Sequence, residues 1–326
     1  EPHTRALPRY REFDPAVVDR LQAENGISRL LAVLLAQRGI TDPEQAARFL
    51  QPELAQLHDP YDMLGMKRAV ERLLRAIHQQ ERILIYGDYD VDGTTGVVVL
   101  RKAIELAGGS ADFHVPDRVK DGYGMRRDVI ERAARDEVRL IVSVDTGIRE
   151  RAVVERANEL GIDCIITDHH LPEEAVPPAL AVLNPNQPGC GYPDKNLSGV
   201  GVAFKLSRAL LSGLGWTPSR LHAMLHSMLK VVAIGTVADV VPLLGENRVF
   251  VTLGIEGLRQ PRSPGLKALL DVSGFSAARS PSAGDIAFRL APRLNAAGRM
   301  ESAQSVIELL TTDRAERAGE IAQKLE

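Results

Sequence analysis

Three aspartates at alternate positions form the densest cluster of like charge in the sequence. They lie in the stretch YGDYDVDG, residues 86–93, directly after the apolar run RILIY, and are Asp88, Asp90 and Asp92. In an extended backbone, alternate side chains point to the same side, so the three carboxylates would converge on one small volume. Like charges that close repel unless a cation lies among them. The stretch therefore predicts either a solvated acidic turn or a cation-binding site.

A calcium loop of the EF-hand type is one candidate for such a site. That loop needs a further glutamate after its glycine. Here Gly93 is followed by TTGVVVLRKAIEL, which is apolar and helix-like. The EF-hand is therefore excluded.

A set of short apolar runs must position these aspartates and the other acids near them. The runs are RILIYGD (82–88), ADFHVPD (111–117), RLIVSVD (139–145), DCIITD (163–168) and ALAVLN (around 180–184), and helical segments such as IRERAVVERANELG (148–161) separate them. This alternation predicts an α/β fold, a parallel sheet with helices on both faces. Asp88, Asp117, Asp145 and Asp168 each stand at the carboxyl end of a predicted strand. Ligands bind at that edge of open α/β sheets.

The rest of the chain is predicted to be helical. We expect a helical N-terminal region at 1–80, a catalytic α/β domain at 81–245 and a helical extension at 246–326 that leads into a connecting helix. Asp239 lies where a long helical pattern breaks before Pro242.

Composition narrows the class of protein. The chain has 326 residues, of which 44% are hydrophobic and 25% charged, so it is globular and long enough for more than one core. Its net charge of −3 argues against a broadly basic nucleic-acid-binding surface but leaves a local groove open. No run approaches the roughly 20 apolar residues of a membrane span, and the N-terminus lacks the apolar core of a signal peptide. We expect a cytoplasmic protein in which Cys164 and Cys190 are free thiols.

Two adjacent histidines extend the set of possible ligands. His169 and His170 follow Asp168 at the same predicted sheet edge, and one could bind a metal while the other faces a substrate. Oxygen donors with one or two imidazoles suit Mn²⁺ or Mg²⁺ better than a structural zinc site, and the nitrogen donor favours Mn²⁺. The carboxylates exceed what one ion needs. Two ions about 3.5–4 Å apart, bridged by a shared carboxylate, are the usual arrangement for phosphoryl chemistry.

Four motifs carry a family resemblance. GDYDVDGTTG, SVDTG, TDHH and GTVADVVPL resemble the successive motifs of the DHH phosphoesterase superfamily. The text at 34–63, 114–125, 183–206 and 290–300 resembles, more narrowly, the bacterial RecJ family of single-strand-specific 5′ to 3′ DNA exonucleases. The similarity covers almost the whole chain.

The resemblance implies a role for individual residues. The positions that match metal ligands are Asp90, Asp92, Asp145, His169 and Asp239, with Asp145 as the bridging ligand. Asp88 matches an acidic position of the motif and could bind a metal directly or act as a base next to the metal ligands. His170 matches the histidine that faces the scissile phosphate. Asp168 would orient its neighbours by hydrogen bonds. Arg118 and Arg299 match the family's phosphate-binding positions. Arginine suits this role because its planar guanidinium can donate two hydrogen bonds to one phosphate.

Some features leave alternatives open or depart from the family pattern. Tyr123 is either a turn residue or a platform on which a base stacks, and Asn295, in the motif NAAGR, is a further candidate for substrate binding. Tyr86 stands where some branches of the family have a histidine, so the first metal would be bound more weakly or have its ligand set completed by Asp88 and water. The DHH-associated domain and the OB-fold of the family have no counterpart in this sequence, so we expect a catalytic core.

The function that the resemblance implies is hydrolysis of single-stranded DNA from its 5′ end, releasing 5′-mononucleotides, in DNA repair and recombination. Two alternatives remain: a nano-RNase or cyclic-dinucleotide phosphodiesterase of the same superfamily, and a non-catalytic scaffold that binds single strands. The resemblance also implies two divalent cations as cofactors, a single-strand-binding protein and a helicase as partners, and a monomeric state.

Overall fold

One five-stranded parallel sheet is the centre of the fold in the computed structural model, which describes residues 12–117, 121–173, 175–275, 281–300 and 303–325, apart from the side chains of 297–300. The strands are β1 (Arg82–Gly87), β2 (Ala111–His114), β3 (Val138–Val144), β4 (Asp163–Thr167) and β5 (Ala181–Leu183). Their order in the sheet is β2-β1-β3-β4-β5. Every neighbouring pair is parallel. The predicted α/β class is confirmed.

Fifteen helices lie within the described ranges. The first seven are α1 (Pro15–Asn25), α2 (Arg29–Ala36), α3 (Pro43–Leu50), α4 (Met66–His78), α5 (Val91–Leu106), α6 (Arg127–Arg135) and α7 (Arg151–Glu159). The next four are α8 (Gly199–Ser212), α9 (Pro218–Ala238), α10 (Gly245–Leu258) and α11 (Pro264–Val272). The last four are α12 (Ala283–Asp285), α13 (Ala291–Met300), α14 (Ala303–Thr311) and α15 (Ala315–Lys324), with a π-helical turn at Ile286–Leu290.

Helices cover both faces of the sheet, as the alternating pattern predicts. On one face, α6 and α7 pack on β1, β3 and β4 through an apolar cluster that includes Ile130, Ile141 and Ile166. On the other face, α5 and α8 pack on each other and on the strands. α5 is buried along most of its length because the sheet lies on one side and α8 and α9 on the other.

Helix α9 is longer and more apolar than the sequence analysis allowed for any segment of the chain. By length and hydropathy it could cross a membrane, so the expectation that no segment approaches a membrane span is wrong for this helix. More than half of its most apolar window is buried, and it packs against α5, α8 and α10. That packing is typical of a core helix.

The chain divides into two compact units, Glu1–Gln56 and Leu57–Glu326. In the first unit, α1, α2 and α3 enclose a small core that includes Val18, Leu21 and Leu35. Asp14, Ser28 and Asp42 cap these three helices by accepting hydrogen bonds from backbone N–H groups of the first turn. The second unit contains the sheet.

Candidate metal centre

The loop after β1 places the three aspartates differently from the alternating pattern. The extended backbone ends at Gly87, Asp90 caps α5 by accepting a hydrogen bond from Gly93 N–H (2.9 Å), and Asp92 lies in the first turn of that helix. The prediction that all three carboxylates share one face of an extended segment is therefore wrong. They divide between two groups, Asp88 and Asp90 in one and Asp92 in the other.

Asp145 lies beside both groups. It follows β3 with φ = 62°, a left-handed conformation that aspartate tolerates better than most residues, and its N–H donates to Thr167 O (2.9 Å) on the neighbouring strand. Its carboxylate is buried, with Oδ1 3.2 Å from His169 Nε2 and 3.9 Å from His170 Nδ1. This position suits the predicted bridging role.

The two histidines after β4 point to different partners. His169 Nε2 lies 3.2 Å from Asp145 Oδ1, 3.6 Å from Asp239 Oδ2 and 3.9 Å from Asp92 Oδ2. His170 Nδ1 lies 2.7 Å from Asp168 Oδ1. Asp239 lies at the carboxyl end of α9, and its carboxylate is therefore next to His169 at the edge of the sheet.

Asp168 organises both histidines. Its Oδ1 accepts hydrogen bonds from the N–H groups of His169 (2.8 Å) and His170 (3.1 Å), and its Oδ2 accepts one from Ile148 N–H (3.0 Å). Burial raises the pKa of Asp168, but the hydrogen bonds from the His170 ring and the backbone together hold it below its usual value. The bond to Asp168 raises the pKa of His170. These contacts are those expected of an orienting carboxylate.

The first turn of α8 holds Asp92. Gly199 N–H donates to Asp92 Oδ2 (2.6 Å), and Val200 N–H donates to Asp92 Oδ1 (2.8 Å). A Cβ on Gly199 would lie 2.4 Å from Asp145 Oδ1, so only glycine allows this approach. Sequence reasoning missed this role, although Ser198, a helix-capping residue before Gly199, marks a helix N-terminus.

Two asparagines that sequence reasoning also missed fix the backbone of the histidines. Asn184 Nδ2 donates to His170 O (2.8 Å), and Asn186 Nδ2 donates to His169 O (2.8 Å). Both follow β5 in the text LNPN, directly after a strand end. Their position after a predicted strand could have identified them as residues at the same sheet edge as the histidines.

We define the candidate metal centre as six residues: Asp88, Asp90, Asp92, Asp145, His169 and Asp239. Within each of the groups Asp88–Asp90–Asp145 and Asp92–His169–Asp239, one ligand atom per residue lies within 4.8 Å of the others, and a third group joins Asp145 and His169 to His170.

Buried polar atoms without partners test whether cations fit the centre. Asp88 Oδ1, Asp145 Oδ1, His169 Nε2 and Asp239 Oδ2 are buried and accept or donate no hydrogen bond. Such atoms are costly unless a ligand satisfies them. The donor set, mostly carboxylate oxygen with imidazole, fits divalent cations.

The electrostatics lead to the same conclusion. Burial, with Asp90 nearby, raises the pKa of Asp88 to about 7. Burial and neighbouring carboxylates also raise the pKa values of Asp92 and Asp145, and burial raises that of Asp239. Burial lowers the pKa of His169. A nearby cation would keep the carboxylates ionised together.

The predicted substrate-binding residues are only partly described. Tyr123 OH lies 3.5 Å from both His170 Nδ1 and Asp145 O, and its side chain is partly exposed beside the centre. Asn295 is half-buried on α13. Arg118 and the side chain of Arg299 lie outside the described residues. The binding roles of all four residues stay predictions.

Tyr86 braces the loop that carries Tyr123. Its hydroxyl donates to Gly124 O (3.2 Å) and accepts a hydrogen bond from Arg126 N–H (3.1 Å), and its ring is buried against His114. The sequence suggested only that Tyr86 replaces a possible ligand. The long-range contact to residues 124–126 was not visible in the pattern.

Comparison with known proteins shows which families the chain resembles. Residues 82–236 match the N-terminal domain of the DHH family. The chain is 43% identical to the single-stranded-DNA-specific exonuclease RecJ of Bacillus subtilis over 96% of this chain and 38% of that protein. It is 41% identical to the RecJ of Dickeya dadantii over 93% of this chain and 53% of that protein. It therefore spans about half, or less, of the length of these curated relatives.

The fold is also similar to that of a solved structure. RecJ from Thermus thermophilus, in complex with Mn²⁺, superposes with a TM-score of 0.80 at 31% identity. The match covers 96% of this chain and 44% of that one.

Proposed function

This chain belongs to the DHH family, and from that membership we propose that it is the catalytic core of a single-strand-specific 5′ to 3′ DNA exonuclease. Its reaction would hydrolyse the terminal phosphodiester and release 5′-mononucleotides, with the catalysis in residues 81–245. One observation carries the proposal: acids from four separate strand or helix ends meet around Asp145 and His169, with buried atoms that lack protein partners. The RecJ names of its relatives supply the substrate class.

The side chains of the centre suit binding of cations and phosphate. Two divalent cations, Mn²⁺ in preference to Mg²⁺, would supply activation of water and neutralisation of phosphate charge when bound by the six residues. RecJ of Thermus thermophilus has been solved in complex with Mn²⁺ and with Mg²⁺, which supports a divalent cation; the preference for Mn²⁺ rests on the imidazole donor of His169.

His170 suits contact with the scissile phosphate. Its Nδ1 is engaged by Asp168, which leaves Nε2 for the substrate, and its raised pKa favours the protonated ring. A protonated imidazole there would donate a hydrogen bond to a phosphate oxygen or a proton to the leaving oxygen. Asp168 would hold the ring in that orientation.

The setting of the enzyme is part of the same proposal. By resemblance it acts in the cytoplasm as a monomer, in repair and recombination, together with a single-strand-binding protein and a helicase.

A substrate panel with Mn²⁺ tests the function. We expect the chain to degrade a long single-stranded DNA labelled at its 3′ end in steps from the 5′ end, and to leave duplex DNA intact. Asp145→Asn should reduce the rate by at least about a thousandfold because a shared ligand is lost. Asp112→Asn, an exposed carboxylate on β2, is the matched control and should keep the rate. Preference for dinucleotides or cyclic dinucleotides, or binding without hydrolysis, would contradict the proposal.

A further inference from the structure

Val240 has a backbone conformation that valine rarely adopts. It directly follows Asp239 at the carboxyl end of α9, with φ = 63°, and its N–H donates to Val237 O (3.3 Å). This left-handed position after a helix is usually taken by glycine. A β-branched residue there is strained because its side chain crowds the backbone.

Packing does not offset that strain. The Val240 side chain is 86% exposed, so it contributes almost nothing to the core. Within the described ranges, three other non-glycine residues have positive φ: Gln80, Glu137 and Asp145. Gln80 and Glu137 are exposed polar residues in the turns before β1 and β3, while Asp145 belongs to the centre. Val240 thus combines strain with exposure of an apolar group one residue from a candidate ligand.

A second exposed aliphatic side chain follows the histidine pair. Leu171, 68% exposed, directly follows His170, and its carbonyl accepts two hydrogen bonds from Arg149, from Nε (3.1 Å) and Nη2 (3.0 Å). The backbone is therefore held while the side chain faces solvent. Tyr123, 52% exposed, adds an aromatic ring beside His170.

We propose that Val240, Leu171 and Tyr123 form an apolar rim that contacts the base of the nucleotide whose phosphate lies at the candidate metal centre. This inference rests on the proposed function and adds to it the part of the substrate that these residues bind. Valine and leucine form no hydrogen bonds, so the contact accepts any base, as a nuclease that acts without regard to sequence requires. The backbone strain at Val240 is retained because its side chain contacts the ligand and does not pack in the core.

Variants of Val240 separate a ligand contact from a structural role. Val240→Gly relieves the backbone strain, so we expect Tm to rise by about 1–3 °C. We also expect kcat/KM on single-stranded DNA to fall about 5- to 10-fold, the value of one aliphatic contact. Val240→Ile preserves an aliphatic contact, so we expect its kcat/KM to lie above that of Val240→Gly.

A strand with abasic 5′-terminal nucleotides identifies the base as the group contacted. The wild type should prefer the normal strand to the abasic one, and Val240→Gly should reduce that preference about 5- to 10-fold. Gln80→Gly and Glu137→Gly relieve positive φ away from the centre and should keep the wild-type preference.

The experiment distinguishes failure of the apolar rim from failure of the proposed function. If the wild type degrades neither strand, the proposed function fails. If the wild type degrades single strands but Val240→Gly keeps its preference for the normal strand, the rim is wrong. A fall in Tm of Val240→Gly would equally overturn the rim, because the side chain would then pack against protein.

Discussion

At the scale of single residues, the candidate metal centre destabilises the protein that contains it. Asp92 and Asp145 are buried with like charges as neighbours, and Asp88 and Asp239 are also held in surroundings that disfavour their ionised forms. A bound cation reverses this balance, so binding and folding are thermodynamically linked.

Asp145→Asn tests that linkage without any assay of activity. In the presence of a chelator we expect the variant to be more stable than the wild type by about 1–3 kcal/mol, because one buried negative charge is removed. Mn²⁺ should raise the Tm of the wild type but not that of the variant. Thermal unfolding with and without Mn²⁺ measures both effects. Asp112→Asn should behave as wild type, and an Mn²⁺ response retained by Asp145→Asn would contradict the assignment.

Asp88 makes the stability of the metal-free protein depend on pH. Its pKa is raised from 3.8 to about 7, so between these values the folded chain binds more protons at this site than the unfolded chain. Stability from this group is therefore full below pH 3.8 and is lost as the pH rises through about 7. The loss is at most about 4 kcal/mol.

Urea unfolding in a chelator, at several pH values across that window, measures the effect. The difference in unfolding free energy between wild type and Asp88→Asn should change steadily through the window, with the variant gaining relative stability as the pH rises. A constant difference would show that Asp88 ionises normally in the folded protein.

For Asp145 and His169, position in the strand pattern was enough to predict that the side chains meet. Asp145 and His169 follow strands, and parallel strands end at one edge, so their convergence follows from the pattern. Asp92 was misplaced because aspartates at alternate positions suit a strand, whereas capping by Asp90 starts a helix at Val91. The helical turn moves Asp92 away from Asp88 and toward Asp239.

At the scale of elements, the N-terminus of α8 is the structural support of the centre. Two of its N–H groups donate to the Asp92 carboxylate, and Gly199 leaves room for the Asp145 carboxylate that a Cβ would overlap. The favourable end of the helix dipole lies at the same place. This support could not be predicted from the sequence because it joins residues more than one hundred positions apart.

Gly199→Ala tests the support. The added methyl group would overlap the Asp145 carboxylate, so we expect a loss of about 1–3 kcal/mol in stability and at least about tenfold weaker Mn²⁺ binding. Gly319→Ala is the control: it lies in α15 with open space around its Cα and should stabilise the chain slightly. Equal Mn²⁺ affinity in Gly199→Ala and wild type, measured by calorimetry, would refute the role.

At the scale of the molecule, a buried polar network ties the helices behind the centre to distant segments. Lys205 on α8 donates to Glu246 Oε1 (2.7 Å) on α10 and to His58 O (2.6 Å), and Tyr192 OH donates to Glu246 Oε2 (2.5 Å). Glu246 N–H in turn donates to Asp194 (2.8 Å). Burial lowers the pKa of Lys205 to about 8 despite Glu246.

Lys205→Met should destabilise the protein by about 3–5 kcal/mol at neutral pH, because it leaves the Glu246 carboxylate buried without its cation. Lys205→Met combined with Glu246→Gln should recover at least half of that loss. Denaturant unfolding of the two single variants and the double variant measures the coupling. Lys67→Met, which removes a solvent-exposed pair with Glu71, should cost no more than about 1 kcal/mol. Additive losses in the double variant would refute the network.

The residues of the centre come from opposite ends of a long stretch of chain. Asp88 and Asp239 are separated by nearly half of the sequence, and β3, β4 and α8 all lie between them. Contacts between such distant residues form late in folding. A chain still emerging from the ribosome, or one that has folded only in part, therefore holds no complete centre until synthesis has passed α9.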